Sequence, residues 1–362
     1  MQKNFCLPKK IESIQFLRFV AALAVSFYHF GIVTDITNTA FNVTFFLRLF
    51  FTISGFIIML STQKEEKKYG FLCRRLIRLV PLYWLLTLTV FAAAQILPSL
   101  IGYKPTVMQL IKSMIFIPFS RETLKSGVTL RPIVGLGHTL QMEILFSLVF
   151  AVAMRISHKY RGLISGITMV VLALIGIFVP FENDFCMFYL NKNYLALLSF
   201  GVGILCYYLI RWLQALSARN NVLFASGLVA SVVTIVLAHV LFVYADSSEL
   251  VCAVDYLIFI AVIICASAYS SWGLPVHRFF VALGDASFSY YLIHYFVISV
   301  AERFLHIDSF SVRNIILMLF SVVVSWVISY VSYCIIEKWF GGLLVGKLNN
   351  YIKKRRSTVG VQ

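Results

Sequence analysis

Charge is what this chain of 362 residues has least of: Asp, Glu, Lys and Arg make up 13% of it, against 60% hydrophobic residues. A soluble domain carries about 25% charged residues and cannot hydrate that much apolar surface, so a water-soluble globular fold is excluded. Alternating segments of about 10 residues, the mark of a transmembrane β-barrel, are missing as well. Neither end reads as a soluble domain, and there is no low-complexity linker or clear internal repeat. The cysteines (Cys6, Cys73, Cys186, Cys206, Cys252, Cys265, Cys334) form no C-x-x-C or other ligand spacing, so no metal site is expected. Several of them lie in apolar runs, where cysteine acts as a small hydrophobe. Lys9 and Lys10 precede an apolar stretch as in a signal peptide. That stretch is long, carries Arg18 and lacks a small-x-small cleavage site before Thr34, so it reads as a retained helix.

What the chain does have is long apolar runs from end to end. At about 20 residues per crossing, they predict an all-α polytopic membrane protein, a bundle of about ten transmembrane helices. The expected spans are 14–33, 43–60, 76–97, 138–155, 163–180, 194–210, 222–244, 250–270, 279–302 and 312–336. Residues 1–13 form a cytoplasmic N-terminus, 14–336 the transmembrane domain, and 337–362 a basic cytoplasmic tail. The tail reads as a segment lying against anionic membrane lipid. Residues 98–137 make the longest connector, on the outer side. Within it Val107–Phe119 is apolar but too short to span, which suits an interfacial or re-entrant segment. With both termini cytoplasmic, Lys and Arg crowd the inner loops, as the positive-inside rule requires. The formal charge of +16 therefore reads as loop bias, and no nucleic-acid partner is expected.

Polar residues inside apolar spans ask for a reason. An Arg there costs roughly 2.5–3.5 kcal/mol on insertion scales. The stretch LRFVAALAVSFYHF holds Arg18 and His29, eleven residues apart. At 100° per residue they share one helical face, with a rise of about 16 Å between them. Two readings stand for the pair alone: helix-end residues that snorkel or bond a neighbouring backbone, or two ends of a site. Glu143 in GHTLQMEILF, His294 in SFSYYLIH and Arg48 in FLRLFFTISGF fall at a depth similar to that of His29. Four ionisable groups at one depth favour a polar cavity, and its His and carboxylate content suits proton transfer. On the inner side CRRLIRLVPLYW presents Arg74, Arg75 and Arg78, with Arg74 and Arg78 four apart on one face. The cluster reads either as ordinary positive-inside charge or, with Arg18, as a fork-shaped phosphate site. Asp255 and His239 stand near the outer ends of their spans as candidates for an acceptor cleft. Glu337 reads as a helix-end ion partner of Lys338.

These segments resemble the membrane-bound acyltransferase-3 family of O-acyltransferases. Arg18, ten residues and His29 match its first-helix hallmark, FFTISGFII its FF-x-x-SGF segment, and RRLIRLVPLYW its arginine-rich third helix. SFSYYLIH is similar to its S-x-S-x-YLIH block and YCIIEKW to its closing Tyr/Glu segment, all in the expected order. One departure is His138-Thr139-Leu140, where the family often has Trp-Ser/Thr-Leu. The SGNH-type esterase domain of some members is missing from this sequence. The resemblance implies acyl-coenzyme A, usually acetyl, as co-substrate, with no tightly bound cofactor. It implies a carbohydrate acceptor on a lipid-linked precursor and a place in the bacterial inner membrane. In that frame Arg18, Arg74, Arg75 and Arg78 hold the donor, and His29 is general base or transient acyl carrier. Glu143 orients His29, while Arg48, His294 and His138 shape the cavity, the oxyanion site or the acceptor site. The rivals are a proton-coupled secondary transporter, disfavoured by the lack of paired broken-helix repeats, and a non-catalytic polysaccharide-export partner.

Overall fold

The computed structural model describes residues 10–29, 43–63, 70–98, 102–123, 127–216, 248–305 and 312–359, with a few residues between 226 and 237. The first half supplies α1 (Glu12–His29), α2 (Val43–Ser61), α3 (Gly70–Ile96), α4 (Val107–Met114), α5 (Gly137–Ile156) and α6 (Arg161–Phe178). The second half supplies α7 (Asp184–Cys186), α8 (Tyr194–Leu216), α9 (Ser248–Ser271), α10 (Arg278–Asp285), α11 (Ser287–Leu305), α12 (Val312–Ser332) and α13 (Gly341–Val359). Two π-helical stretches join in, Met187–Lys192 after α7 and Tyr333–Phe340 between α12 and α13.

Among the described residues, seven helices are long and apolar enough to cross a membrane. The pair α10 and α11, bent by 72°, brings the number to eight if it counts as one crossing. This makes the chain a helical, multi-pass membrane protein. The difference from the ten expected spans has identifiable sources. Helix α1 forms, but Glu12, Gln15, Arg18 and His29 keep its 18 residues out of the strongly apolar set. Most of the expected span 222–244 lies outside the described residues. The expected boundary at 336 falls inside the second π stretch, and the helical run goes on into α13. The connector after α3 also departs from an all-helical reading: β1 (Ser120–Thr123) pairs antiparallel with β2 (Gly127–Leu130).

That connector caps the bundle. Thr106 and Gln109 close a capping box at the start of α4, satisfying two backbone donors the helix leaves open. Tyr83 Oη donates to Ser113 O at 3.1 Å and Trp84 Nε1 to Met114 O at 2.9 Å, so α3 holds α4 in place. Val107, Met108, Ile111 and Ile115 remain exposed along one side, the pattern of an interfacial helix.

Helices in lipid gain little from burying apolar surface against one another and associate through close packing. The α2–α8 crossing shows how. A Cβ on Gly55 would collide with the Phe200 carbonyl, and one on Gly203 with the Thr52 carbonyl. Around this contact Phe51, Phe56, Phe146, Phe150 and Phe200 build the largest core cluster. A second cluster joins Leu79, Tyr83, Leu140, Tyr291 and Leu292 of α3, α5 and α11. A third packs α1 on α11 and α12 through Ala22, Tyr290 and Trp326. An open space remains where α1, α2, α3, α5 and α11 meet.

Candidate functional site

The space is a cavity of about 840 Å³, counting its open mouth. Its polar end is built from Arg18, Ser54, Arg75, Arg78 and Glu143. Arg75 and Arg78 are three apart on α3, so they flank one face. Arg75 Nη2 donates to Glu143 Oε1 and to Ser54 Oγ, both at 2.5 Å, and Ser54 Oγ donates to Glu143 Oε1 at 3.1 Å. Arg75 Nε is buried without a partner among the described residues. Arg18 donates from Nη1 to Gln15 Oε1 at 3.0 Å and lies within electrostatic range of Arg78, Glu143 and Glu337. Arg78 is 45% exposed at the rim and stands 3.6 Å from Glu337, whose side chain is only 3% exposed. Ser289 Oγ donates to Glu337 Oε1 at 2.6 Å. The rim arginine is thus steered by a buried carboxylate on a π-helical turn, a distortion common at functional sites.

Away from this charged end the wall is apolar, with Leu47, Phe50, Leu140, Phe288 and Leu292. Beyond it lies a group of imidazoles. The His29 ring is 5.4 Å from that of His294 and 5.3 Å from that of Tyr295, centroid to centroid. His294 is fully buried, and its Nδ1 sits 2.9 Å from Tyr290 O. A carbonyl only accepts, so Nδ1 carries a proton, and in the neutral ring Nε2 then keeps its lone pair. That Nε2 has no partner among the described residues. His138 Nδ1 likewise donates to Gly135 O at 2.9 Å, and the ring lies within electrostatic range of His29 and Arg131. Neutral imidazoles with a free basic nitrogen are suited to taking protons. Fixed guanidinium groups in a cavity are suited to holding phosphate.

The structure therefore brings Arg18, Arg75, Arg78 and Glu143 together at one end of the cavity, and His29, His138 and His294 into one group. It does not bring Arg74 to the cavity wall: the Arg74 guanidinium folds back beside Gly70. Because a helix turns 100° per residue, only one of the adjacent pair Arg74 and Arg75 can face inward. Glu143, expected to orient His29, is engaged by Arg75 and Ser54 instead. Arg48 is likewise withdrawn from the cavity. It is buried in an ion pair with Asp255, with Nη1 donating to Cys252 Sγ at 2.8 Å. The same pair takes Asp255 out of the expected acceptor cleft, and His239 lies outside the described residues. Glu337 is an ion partner as expected, but of Arg78 instead of Lys338. Ser54, Thr139, Ser287 and Tyr291 also line the cavity. Ser54 and Tyr291 stood inside the quoted FFTISGF and SFSYYLIH segments without being singled out.

A multi-pass membrane protein with a cationic cavity beside a group of imidazoles is the class that fold and site define. The family profile described as an acyltransferase domain, acyltransferase-3, matches residues 11–333. The chain belongs to this family and is an O-acyltransferase. It is similar to the exopolysaccharide production protein ExoZ of Rhizobium meliloti (strain 1021), with 29% identity over 262 residues, 70% of this chain and 76% of the relative. No solved structure matches the chain.

Proposed function

We propose that this O-acyltransferase moves an acyl group, acetyl foremost, from acyl-coenzyme A to a hydroxyl of an exopolysaccharide or related surface carbohydrate on a lipid-linked precursor. The acceptor class follows from the similarity to an exopolysaccharide production protein. The observation that carries the donor assignment is the division of labour along α1. Arg18 lines the cationic end of the cavity, and His29 joins the imidazole group on the same face, about 16 Å further along the axis. An extended pantetheine arm is of that order of length. In this reading about ten spans cross the bacterial inner membrane with both termini cytoplasmic, so the arginines face the compartment that holds coenzyme A.

Arg18, Arg75 and Arg78 hold the donor's phosphates, and Glu143 with Ser54 fixes the direction of Arg75. His29 takes the proton of the attacking hydroxyl as the oxygen bonds to the thioester carbonyl carbon. The tetrahedral intermediate collapses with cleavage of the carbon–sulfur bond, and His29 returns the proton to the leaving thiolate. The products are the ester and coenzyme A. Acetyl content of the surface polysaccharide in cells lacking the protein, complemented with wild type or His29→Ala at equal expression, is the test. Wild type restores acetylation and His29→Ala does not. Restoration by His29→Ala removes the base from the mechanism.

A further inference from the structure

A thioester carbonyl under attack needs a hydrogen-bond donor aimed at its oxygen, and of the groups expected there Arg48 is withdrawn into its pair with Asp255, while His294 and His138 spend Nδ1–H on backbone carbonyls. The charged end does not supply it readily, since Arg75 Nη2 is already shared between Glu143 and Ser54. Tyr291 stands elsewhere on the wall. It lines the cavity, and its ring lies 6.0 Å from that of His294, one helical turn further along α11. It therefore belongs to both the cavity and the imidazole group. Phe50 braces the ring from α2 at 6.2 Å.

Tyr291 is 8% exposed, and its hydroxyl has no hydrogen-bond partner among the described residues. Thr139 is the side chain within reach of it on the same wall, a weak acceptor whose own hydroxyl donates to Leu136 O at 3.0 Å. Burying a hydroxyl without a well-formed hydrogen bond costs up to about 1–3 kcal/mol, which a ligand acceptor at that place offsets. Phe in this position would preserve the ring packing without the cost, so the hydroxyl is the part that requires an explanation.

We propose that the Tyr291 hydroxyl donates to the acyl carbonyl oxygen of the donor thioester and holds the oxyanion formed when the acceptor attacks. The proposal rests on the acyl-coenzyme A reading above. The acceptor oxygen bonds to the carbonyl carbon and its proton passes to His29, while the carbonyl electron pair moves to the oxygen facing Tyr291. Collapse re-forms the carbonyl, breaks the carbon–sulfur bond and returns the proton to sulfur. Tyr291 keeps its own proton throughout and returns to a neutral hydrogen bond.

Tyr291→Phe tests it in purified full-length protein with acetyl-coenzyme A and the polysaccharide acceptor. Removing an oxyanion donor typically costs about 10²–10³ in kcat, and that loss is expected here with the donor KM within about twofold. A packing role predicts the opposite split, a changed KM or unfolding midpoint with kcat per folded molecule near wild type, and that result overturns the proposal. If Tyr291→Phe does not fold, 3-fluorotyrosine at 291 keeps the shape and makes the hydroxyl a stronger donor. Its kcat then rises at unchanged KM, and an unchanged kcat overturns the proposal. Wild-type protein that transfers nothing from acetyl-coenzyme A overturns the donor reading and this role together. Full wild-type transfer with an unimpaired Tyr291→Phe overturns only the role of Tyr291.

Discussion

Arg48–Asp255 and Arg75–Glu143 are both arginine–carboxylate pairs within the helix bundle, but the first is closed off and the second faces open space. Arg48 and Asp255 are sealed, their side chains 8% and 10% exposed, with Cys252 Sγ and Thr44 O taking further guanidinium hydrogens. Arg75 and Glu143 border the cavity, share Ser54, and stand beside Arg18 and Arg78. The first pair balances its own charge and ties α2 to α9. The second belongs to a group of three arginines facing two carboxylates, Glu143 and Glu337. Similar residues are thus set up for different work: a closed pair ties helices together, and an unbalanced one is suited to holding an anion.

Breaking the sealed pair gives the largest effect on stability. Asp255→Ala leaves a buried, uncompensated Arg48, at a cost of about 3–5 kcal/mol. The expected result in detergent is a sharply lowered unfolding midpoint, with near-normal transfer per molecule still folded. Arg75→Ala should invert that pattern. Glu143, 26% exposed on the cavity side, can hydrate, so stability falls less. Donor affinity falls about tenfold or more, since hydrogen bonds to charged groups contribute about 1.5–3 kcal/mol each. Isothermal titration with coenzyme A reads this directly. Ser54→Ala is the mildest change. It removes one neutral hydroxyl from the Arg75–Glu143 bridge, worth about 0.5–1.5 kcal/mol, and donor affinity should drop about two- to tenfold with the unfolding midpoint nearly unmoved.

The contrast between the two pairs also marks where sequence reasoning stops. Apolar runs place most of the helices, because hydropathy is a property each segment carries by itself. The spacing of Arg18 and His29 fixes their common face for the same reason. Partner choice is a different matter. Arg48 and Arg75 look alike as single charges in apolar stretches, and the residue that neutralises Arg48 lies 207 positions away. Glu143 was legible as a carboxylate inside an apolar span, but not its preference for Arg75, which depends on how α3 crosses α5. Lys338 stands next to Glu337 in sequence, yet adjacent residues on a helical turn point to different faces, and Arg78 and Ser289 reach the carboxylate instead. The hydroxyls of Ser54 and Tyr291 carry no charge and no unusual spacing, so only their position on the cavity wall reveals them.

The central claim is that one helix serves both ends of the reaction, Arg18 holding the donor and His29 acting on the bond. Coenzyme A affinity and acetyl transfer, measured side by side on purified Arg18→Ala and His29→Ala proteins, test it most directly. Arg18→Ala is predicted to weaken coenzyme A binding about tenfold or more, in line with a lost charge-assisted contact. His29→Ala is predicted to bind coenzyme A as wild type does and to transfer no acetyl group. Undiminished binding in Arg18→Ala, or undiminished transfer in His29→Ala, contradicts it.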